Sequence, residues 1–263
     1  MTLPEACAAL LDTHCHLDAA EFDADRAAVV AAAARAGVAG IVVPAVERAN
    51  FGAVASVCRE FPACAPAYGI HPMYVDRAEP ADLDALRATL QREPAVAVGE
   101  IGLDRYLEPR DEGRQELYFV EQLKIARDCG LPVILHVRRA IDPILKQLRR
   151  IGVAGGIAHA FNGSRQQADE FIKLGFVLGF GGAMTYPRAA RIRELAATLP
   201  LAAIVLETDA PDIPPAWRVG ARNTPDQLPR MAAELAALRD LPVADIIAAT
   251  SRNARRVLSR LAH

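Results

Sequence analysis

The chain reads as an α/β protein, a single-domain (β/α)8 barrel spanning residues 1–263. Three observations predict this. Eight short apolar runs recur roughly every 20 to 35 residues, and stretches of helical periodicity fill the intervals between them. The length of 263 residues also matches the ~250 of one such barrel. Strict strand–helix alternation gives a parallel sheet with right-handed crossovers. Strands buried on both faces read as unbroken apolar runs. Eight repeats favour closure over a doubly wound open sheet, the runner-up arrangement. No linker, low-complexity stretch or charge block divides the chain.

The elements follow in order. The first strand is expected over Leu10–His14, then a helix over Asp23–Ala36 with Val29, Val30 and Ala33 inward and Gly37 as its stop. A strand at Gly40–Pro44 precedes a helix at Phe51–Phe61, with Asn50 as its cap. The third strand, Ala65–Ile70, leads to a helix at Asp82–Arg92 carrying Leu83, Leu86 and Leu90. Ala95–Ile101 is followed by a helix at Glu112–Cys129, with Leu117, Val120, Leu123 and Ile125 inward and Gly130 and Pro132 as stops. Pro132–Val137 and Gly155–Ala160 are the fifth and sixth strands; Ser164 caps a helix at Arg165–Leu174. Phe176–Gly181 and Ile204–Asp209 complete the set, and Pro225–Arg239 and Pro242–Leu261 form a helical C-terminus. The irregular stretch Ala210–Thr224 follows the last strand, where barrel enzymes often build part of their pocket.

Composition narrows the function. The chain is 52% hydrophobic with a net charge of −2 and a pI near 6.3, which excludes a protein coated in positive charge but not a local basic rim. No segment approaches the ~20 apolar residues of a membrane span, and the N-terminus lacks signal-peptide features. The cytoplasm is the expected location, and a monomer without an obligate protein partner the expected state. The five cysteines, Cys7, Cys15, Cys58, Cys64 and Cys129, form no CxxC pair and read as reduced thiols. Strand alternation points Cys15 away from its histidine neighbours.

Four of the six histidines sit at the ends of apolar runs: His14 and His16 in Asp-Thr-His-Cys-His, His136 after Val-Ile-Leu, and His159 after Gly-Ile-Ala. Glu100 and Asp209 occupy equivalent places. In a parallel barrel all such strand ends open on one face. Buried imidazoles and carboxylates are costly unless paired or metal-bound. His14, His16 and Asp209 can hold one divalent ion, His136 and His159 a second, and Glu100 can bridge the two. Mixed imidazole and carboxylate donors suit zinc, manganese, nickel or iron, and magnesium less well. Two such ions activate a water and clamp a phosphoryl group, and Asp209 can accept the proton of that water.

These motifs resemble the TatD family of metal-dependent deoxyribonucleases, and within it the YjjV-like branch. The likeness rests on Asp12–Asp18, Gly69-Ile-His-Pro72, Gly99-Glu-Ile-Gly-Leu-Asp104, Pro132–His136, His159-Ala-Phe161 and Glu207-Thr-Asp-Ala-Pro211, in family order. It implies a TIM barrel of the amidohydrolase type. It also implies that His14, His16, Glu100, His136, His159 and Asp209 are metal ligands for two divalent ions, with Glu100 shared. The implied reaction is hydrolysis of DNA phosphodiesters, often exonucleolytic. Arg105-Tyr106 and Asn162 depart from the family's commonest pattern at the expected mouth of the site.

His71 reads either as a backbone-satisfied loop histidine or as a residue that contacts substrate phosphate or supports the ligands. Asp12 reads either as an acceptor orienting a ligand imidazole or as a structural hydrogen-bond partner. Glu207 shares the parity of Asp209 and is expected to support the ligands from behind. Arg138, Arg139, Arg165 and Arg222 are candidate phosphate binders, Arg222 by likeness to the family's Arg-Asn-x-Pro element. Tyr106 and Trp217 are candidates to stack on a base, whereas Tyr186 reads as loop packing. His263 is expected to carry nothing. Competing functions are hydrolysis of a small phosphoester, ester or amide by a related barrel, and a scaffold without catalysis. A carboxylated lysine bridge, usual among amidohydrolases, has no counterpart, since Lys124, Lys146 and Lys173 all lie away from expected strand ends.

Overall fold

The computed structural model describes residues 9–106, 108–109 and 111–261, so Cys7 and His263 lie outside the described residues. Its strands are β1 (Leu10–Asp12), β2 (Val38–Pro44), β3 (Cys64–Tyr68), β4 (Ala97–Asp104), β5 (Val133–Arg138), β6 (Gly156–Ala158), β7 (Phe176–Phe180) and β8 (Ile204–Leu206). They form one sheet in sequence order, with every neighbouring pair parallel. Beyond β8 and β1 the backbone closes the barrel. Thr13 N–H donates to Leu206 O at 3.1 Å, Asp209 N–H to His14 O at 2.8 Å and His16 N–H to Ala210 O at 2.8 Å.

The helices are α1 (Arg26–Arg35), α2 (Phe51–Glu60), α3 (Pro80–Arg92), α4 (Glu112–Asp128), α5 (Ile141–Ile151), α6 (Arg165–Lys173), α7 (Ala190–Thr198), α8 (Leu228–Arg239) and α9 (Val243–Val257). Helices α5 and α7 were not anticipated. α5 is strongly amphipathic, with Ile144, Leu145 and Leu148 buried, so its pattern is readable despite Pro143 in its first turn; α7 spans 9 residues and buries only Leu195 and Ala196, a weak helical signal. Ser164 caps α6 as expected, accepting from Gln167 N–H at 3.1 Å. Asn50 does not cap α2. Its side-chain oxygen turns back to accept from Val46 N–H and Glu47 N–H, while its amide donates to Asp18. The buried stripe of α4 runs through Gln115, Tyr118, Phe119, Gln122, Leu123 and Ala126, which leaves Leu117 56% exposed rather than inward.

The core is layered. One buried residue from each strand (Leu11, Val42, Ala67, Ala97, Ile134, Ile157, Val177 and Val205) packs in a single cluster with Ala254, Val257 and Leu258 of the α9 region. This cluster fills the barrel interior, and α9 seals its N-terminal end. His136, His159 and Asp209 lie two or four residues beyond Ile134, Ile157 and Val205. Strand alternation therefore keeps them on the interior parity. Glu100 follows a register irregularity between Val98 and Ile101 that resets its parity. Gly102 is needed there, because a Cβ would collide with the His136 carbonyl of β5.

Candidate metal centre

The imidazoles and carboxylates expected from the sequence meet at the C-terminal mouth. His14 and His16 bring their Nε2 atoms to 3.2 Å of each other, and Asp209 Oδ1 lies 3.7 Å from both. Glu100 Oε2 lies 3.1 Å from His14 Nε2 and 3.6 Å from His16 Nε2. Its other oxygen, Oε1, lies 3.0 Å from His136 Nδ1 and 3.5 Å from His71 Nε2. The two oxygens of Glu100 thus face two different sets of nitrogens. His159 stacks on His14 with ring centroids 3.6 Å apart and brings Nε2 to 3.4 Å from Asp209 Oδ1. Asp209 has φ 57°, a left-handed conformation that aspartate tolerates better than most residues.

Second partners aim the rings. His16 Nδ1 lies 3.3 Å from Pro44 O, and His136 Nε2 lies 2.9 Å from Asp104 Oδ2. His159 Nδ1 meets Glu207 Oε1 at 3.0 Å, off the line of a hydrogen bond. The same oxygen accepts from Ala160 N–H at 2.6 Å. Gly179 makes room for Glu207, since a Cβ there would overlap its carboxylate. Ligating histidines usually have their far nitrogen held in this way, leaving the near one for a metal.

Charge in the cluster is arranged for a cation. Burial pushes the Glu100 carboxyl up, but His71, His14 and His136 beside it outweigh burial and hold it well below the carboxylate range. Burial also opposes ionisation of Asp209, and His159, His14 and His16 pull it below its usual value. Burial and the neighbouring His159 push His14 down, and burial with His136 pushes His71 down to about 4. Two imidazole nitrogens 3.2 Å apart face two carboxylates held below their usual range, an arrangement that a shared cation would satisfy. His14 Nδ1 is a further buried atom without a hydrogen-bond partner among the described residues. Among the described residues, three groups have donor atoms close enough for one ion: His14, His16 and Asp209; His14, Glu100 and His159; and His71, Glu100 and His136. The donor set fits divalent metal.

This donor cluster at the mouth of an eight-stranded parallel barrel coincides with a family match over residues 11–259, to the family described as TatD related DNase. The chain belongs to the TatD family. It is 43% identical over 246 residues to the metal-dependent hydrolase YjjV of Escherichia coli K12, covering 92% of this chain and 95% of that protein. The crystal structure of YjjV, a TatD homologue, matches with a TM-score of 0.92 at 40% identity, covering 96% and 98% of the two chains. The 3'-5' ssDNA/RNA exonuclease TatD of Salmonella typhimurium is 32% identical over 259 residues, covering 94% and 97%. The family resemblance carried by the motifs and the barrel it implied are both borne out.

Within this TatD-family barrel the remaining expected residues fall in varied places. Of its two readings, Asp12 takes the structural one. Its carboxylate accepts from His14 N–H, Thr208 N–H and the Thr208 hydroxyl, at 3.2, 2.9 and 2.6 Å. His71 takes its backbone-satisfied reading, since Nδ1 accepts from Met73 N–H at 3.1 Å, and its Nε2 faces Glu100. His136 groups with His71, and His159 groups with His14, so the anticipated partnership of His136 with His159 is not among the close groups. Arg222 is engaged by Asp25, at 2.6 and 3.0 Å, and by the Glu21 carbonyl. Arg165 pairs with Asp169 on its own helix. Trp217 donates to Gln227 at 2.9 Å and lies under the Arg230 guanidinium. Tyr186 donates to Pro214 O, as loop packing requires.

Sequence reasoning missed four supporting residues. Asp104 shares strand parity with Glu100, which could have revealed it. Gln115 accepts from Asp104 N–H at 3.0 Å, and Gln122 bonds both the N–H and C=O of Ile70 beside His71. Asn223 is fully buried and donates to the carbonyls of Thr208, Asp212 and Ile213, so it holds the loop that carries Asp209. Amides inside a helix stripe or a loop announce none of this in sequence.

Proposed function

We propose that the protein is a metal-dependent deoxyribonuclease that hydrolyses DNA phosphodiester bonds, working exonucleolytically from a strand end. The observation that carries this is the division of Glu100, one oxygen toward His14 and His16 and the other toward His136 and His71. His14, His16 and Asp209 would hold one divalent ion with His159 beside them; the far oxygen of Glu100 with His136, next to His71, would form a second position. Imidazole-rich donors favour zinc, manganese or nickel, and magnesium less well. Such ions, when bound, supply Lewis-acid activation of water and neutralise phosphoryl charge.

The chain's own groups do the rest. Asp209, ionised at neutral pH, accepts the proton of the attacking water at a carboxylate oxygen. His71 is buried beside Glu100, and its Nε2 side would be the one to meet a phosphate oxygen brought to that position. Glu207 and Asp104 keep His159 and His136 in their working orientation. Asp12 holds the His14 backbone to Thr208. Support for DNA as the substrate comes from the family description and from the Salmonella relative's exonuclease name. The reading places the enzyme in the cytoplasm as a monomer. Its described cysteines Cys15, Cys58, Cys64 and Cys129 are free thiols, and no helix among the described residues is long and apolar enough to cross a membrane.

The test is direct. Metal-loaded protein is given end-labelled single- and double-stranded DNA with magnesium, manganese, zinc or cobalt. Stepwise shortening is expected. Failure to cleave with any of these metals, alongside turnover of an amide or small ester, overturns the proposal.

A further inference from the structure

The rim beside β4 and β5 carries an unusual arrangement of charge. Tyr106, two residues past β4, is 46% exposed, yet its ring is already engaged. The guanidinium carbon of Arg138 lies 3.8 Å from the ring centroid and that of Arg139 4.5 Å. Both arginines are exposed, and among the described residues neither has a carboxylate partner. The neighbouring Arg105, by contrast, pairs with Glu112 at 3.2 Å.

Backbone conformation makes the cluster. Consecutive side chains on an extended strand point to opposite faces. Arg139 leaves that pattern with φ 55°, and both guanidiniums reach one ring. Two like charges on one ring repel, and cation–π attraction offsets only part of that. An anion touching both would relieve the rest. The cluster is also tied to the metal centre. Tyr106 N–H donates to Asp104 Oδ1 at 2.8 Å, and Asp104 Oδ2 holds His136 Nε2 at 2.9 Å.

We infer that Arg138 and Arg139, held over Tyr106, form a clamp for a backbone phosphate of the nucleic-acid strand next to the phosphodiester under attack. This rests on the nuclease reading above and adds to it a subsite. Planar guanidinium donors match phosphate oxygens in pairs. A backbone contact of this kind positions the strand without reading its sequence. Tyr106 is then a positioning residue for two arginines, instead of the base-stacking platform suggested by its type.

The test compares wild type, the Arg138→Ala/Arg139→Ala double variant, Tyr106→Leu and Tyr106→Phe. The binding probe is an end-labelled oligothymidylate on metal-stripped protein, followed by anisotropy across a salt series. The kinetic probes are the same oligonucleotide and the nitrophenyl ester of thymidylate, which has a single phosphodiester and no neighbouring phosphate. The double variant should bind the oligonucleotide about 10-fold more weakly. Its slope of log affinity against log salt should be shallower by about 1. KM for the oligonucleotide should rise with kcat retained, and kcat/KM for the ester should not move. Tyr106→Leu should fall between, and Tyr106→Phe should match wild type. A double variant that binds and cleaves the oligonucleotide like wild type overturns the clamp, as does equal loss on both substrates. Weakening by Tyr106→Leu alone would indicate base stacking and also overturns it. Wild type that hydrolyses the ester but neither binds nor cleaves the oligonucleotide removes the nuclease reading, and the clamp with it.

Discussion

The two sides of the mouth hold their ligands by different means. At the β8–β1 seam the backbone does it. Asp209 N–H bonds His14 O, His16 N–H bonds Ala210 O, and Asp12 locks Thr208 to the His14 backbone. On the β4–β5 side individual side chains do it. Asp104 orients His136, and Gln115 and Gln122 reach in from α4 to fix the ends of β4 and β3. The seam ligands are therefore placed by barrel closure itself, whereas those opposite depend on single contacts. Damage at the seam should cost stability; damage at β4–β5 should cost metal affinity while the fold survives.

Glu100 touches both sides, so its loss should be the most severe. Glu100→Ala is expected to lower turnover by about 10³-fold, equivalent to ~4 kcal/mol, and to reduce bound metal by elemental analysis. A variant that keeps the full metal complement would show that the sides bind independently. Next comes Asp12→Ala at the seam. Losing three buried hydrogen bonds should cost ~2–4 kcal/mol and lower Tm by roughly 5–12 °C in calorimetry. A Tm near that of wild type would dissolve the contrast between the sides. Burial pushes Asp12 up to about 7, above its unfolded value, although bonds from Thr208 and His14 pull the other way. The stability linked to that proton is complete below about pH 4 and is lost as pH rises through about 7. Wild type should therefore lose stability relative to Asp12→Asn between about pH 4 and pH 7; parallel curves would refute this.

A smaller effect is expected at Asp104. Asp104→Asn should weaken metal binding by about 10- to 100-fold in a competition titration, with Tm little changed. Unfolding in place of weakened binding would place β4–β5 with the seam. Smallest of all is Arg222→Ala. Its partner Asp25 is held below the usual carboxylate range by the guanidinium, but both are partly exposed. The variant should lose a little Tm near neutral pH, and the difference should close as Asp25 protonates below about pH 4. A large rise in KM instead would restore Arg222 to the substrate.

Much of this was legible because parallel barrels write themselves as apolar runs. Eight runs predicted eight strands, and the ligand residues stand at their ends. Boundaries drifted where backbone bonds outside the sheet took over, as at His14 beyond β1. Helix α7 escaped because its scant buried face blurs its periodicity, whereas α5 has a clear apolar face at Ile144, Leu145 and Leu148 that the sequence did display. Leu117 misled for the reverse reason: it is apolar, yet lies off the buried stripe.

The sequence by itself determined the fold class, the family and the strand-end placing of the six proposed ligands, since strand parity and strand-end position are local properties that motifs preserve. Only the tertiary structure decided the groupings. His136 meets His71, His159 stacks on His14, Arg222 turns to Asp25, and Arg138 and Arg139 converge on Tyr106. Each depends on rotamers, a left-handed φ or the spacing between distant strands. Such features arise from packing in three dimensions, and no run of residues along the chain encodes them alone.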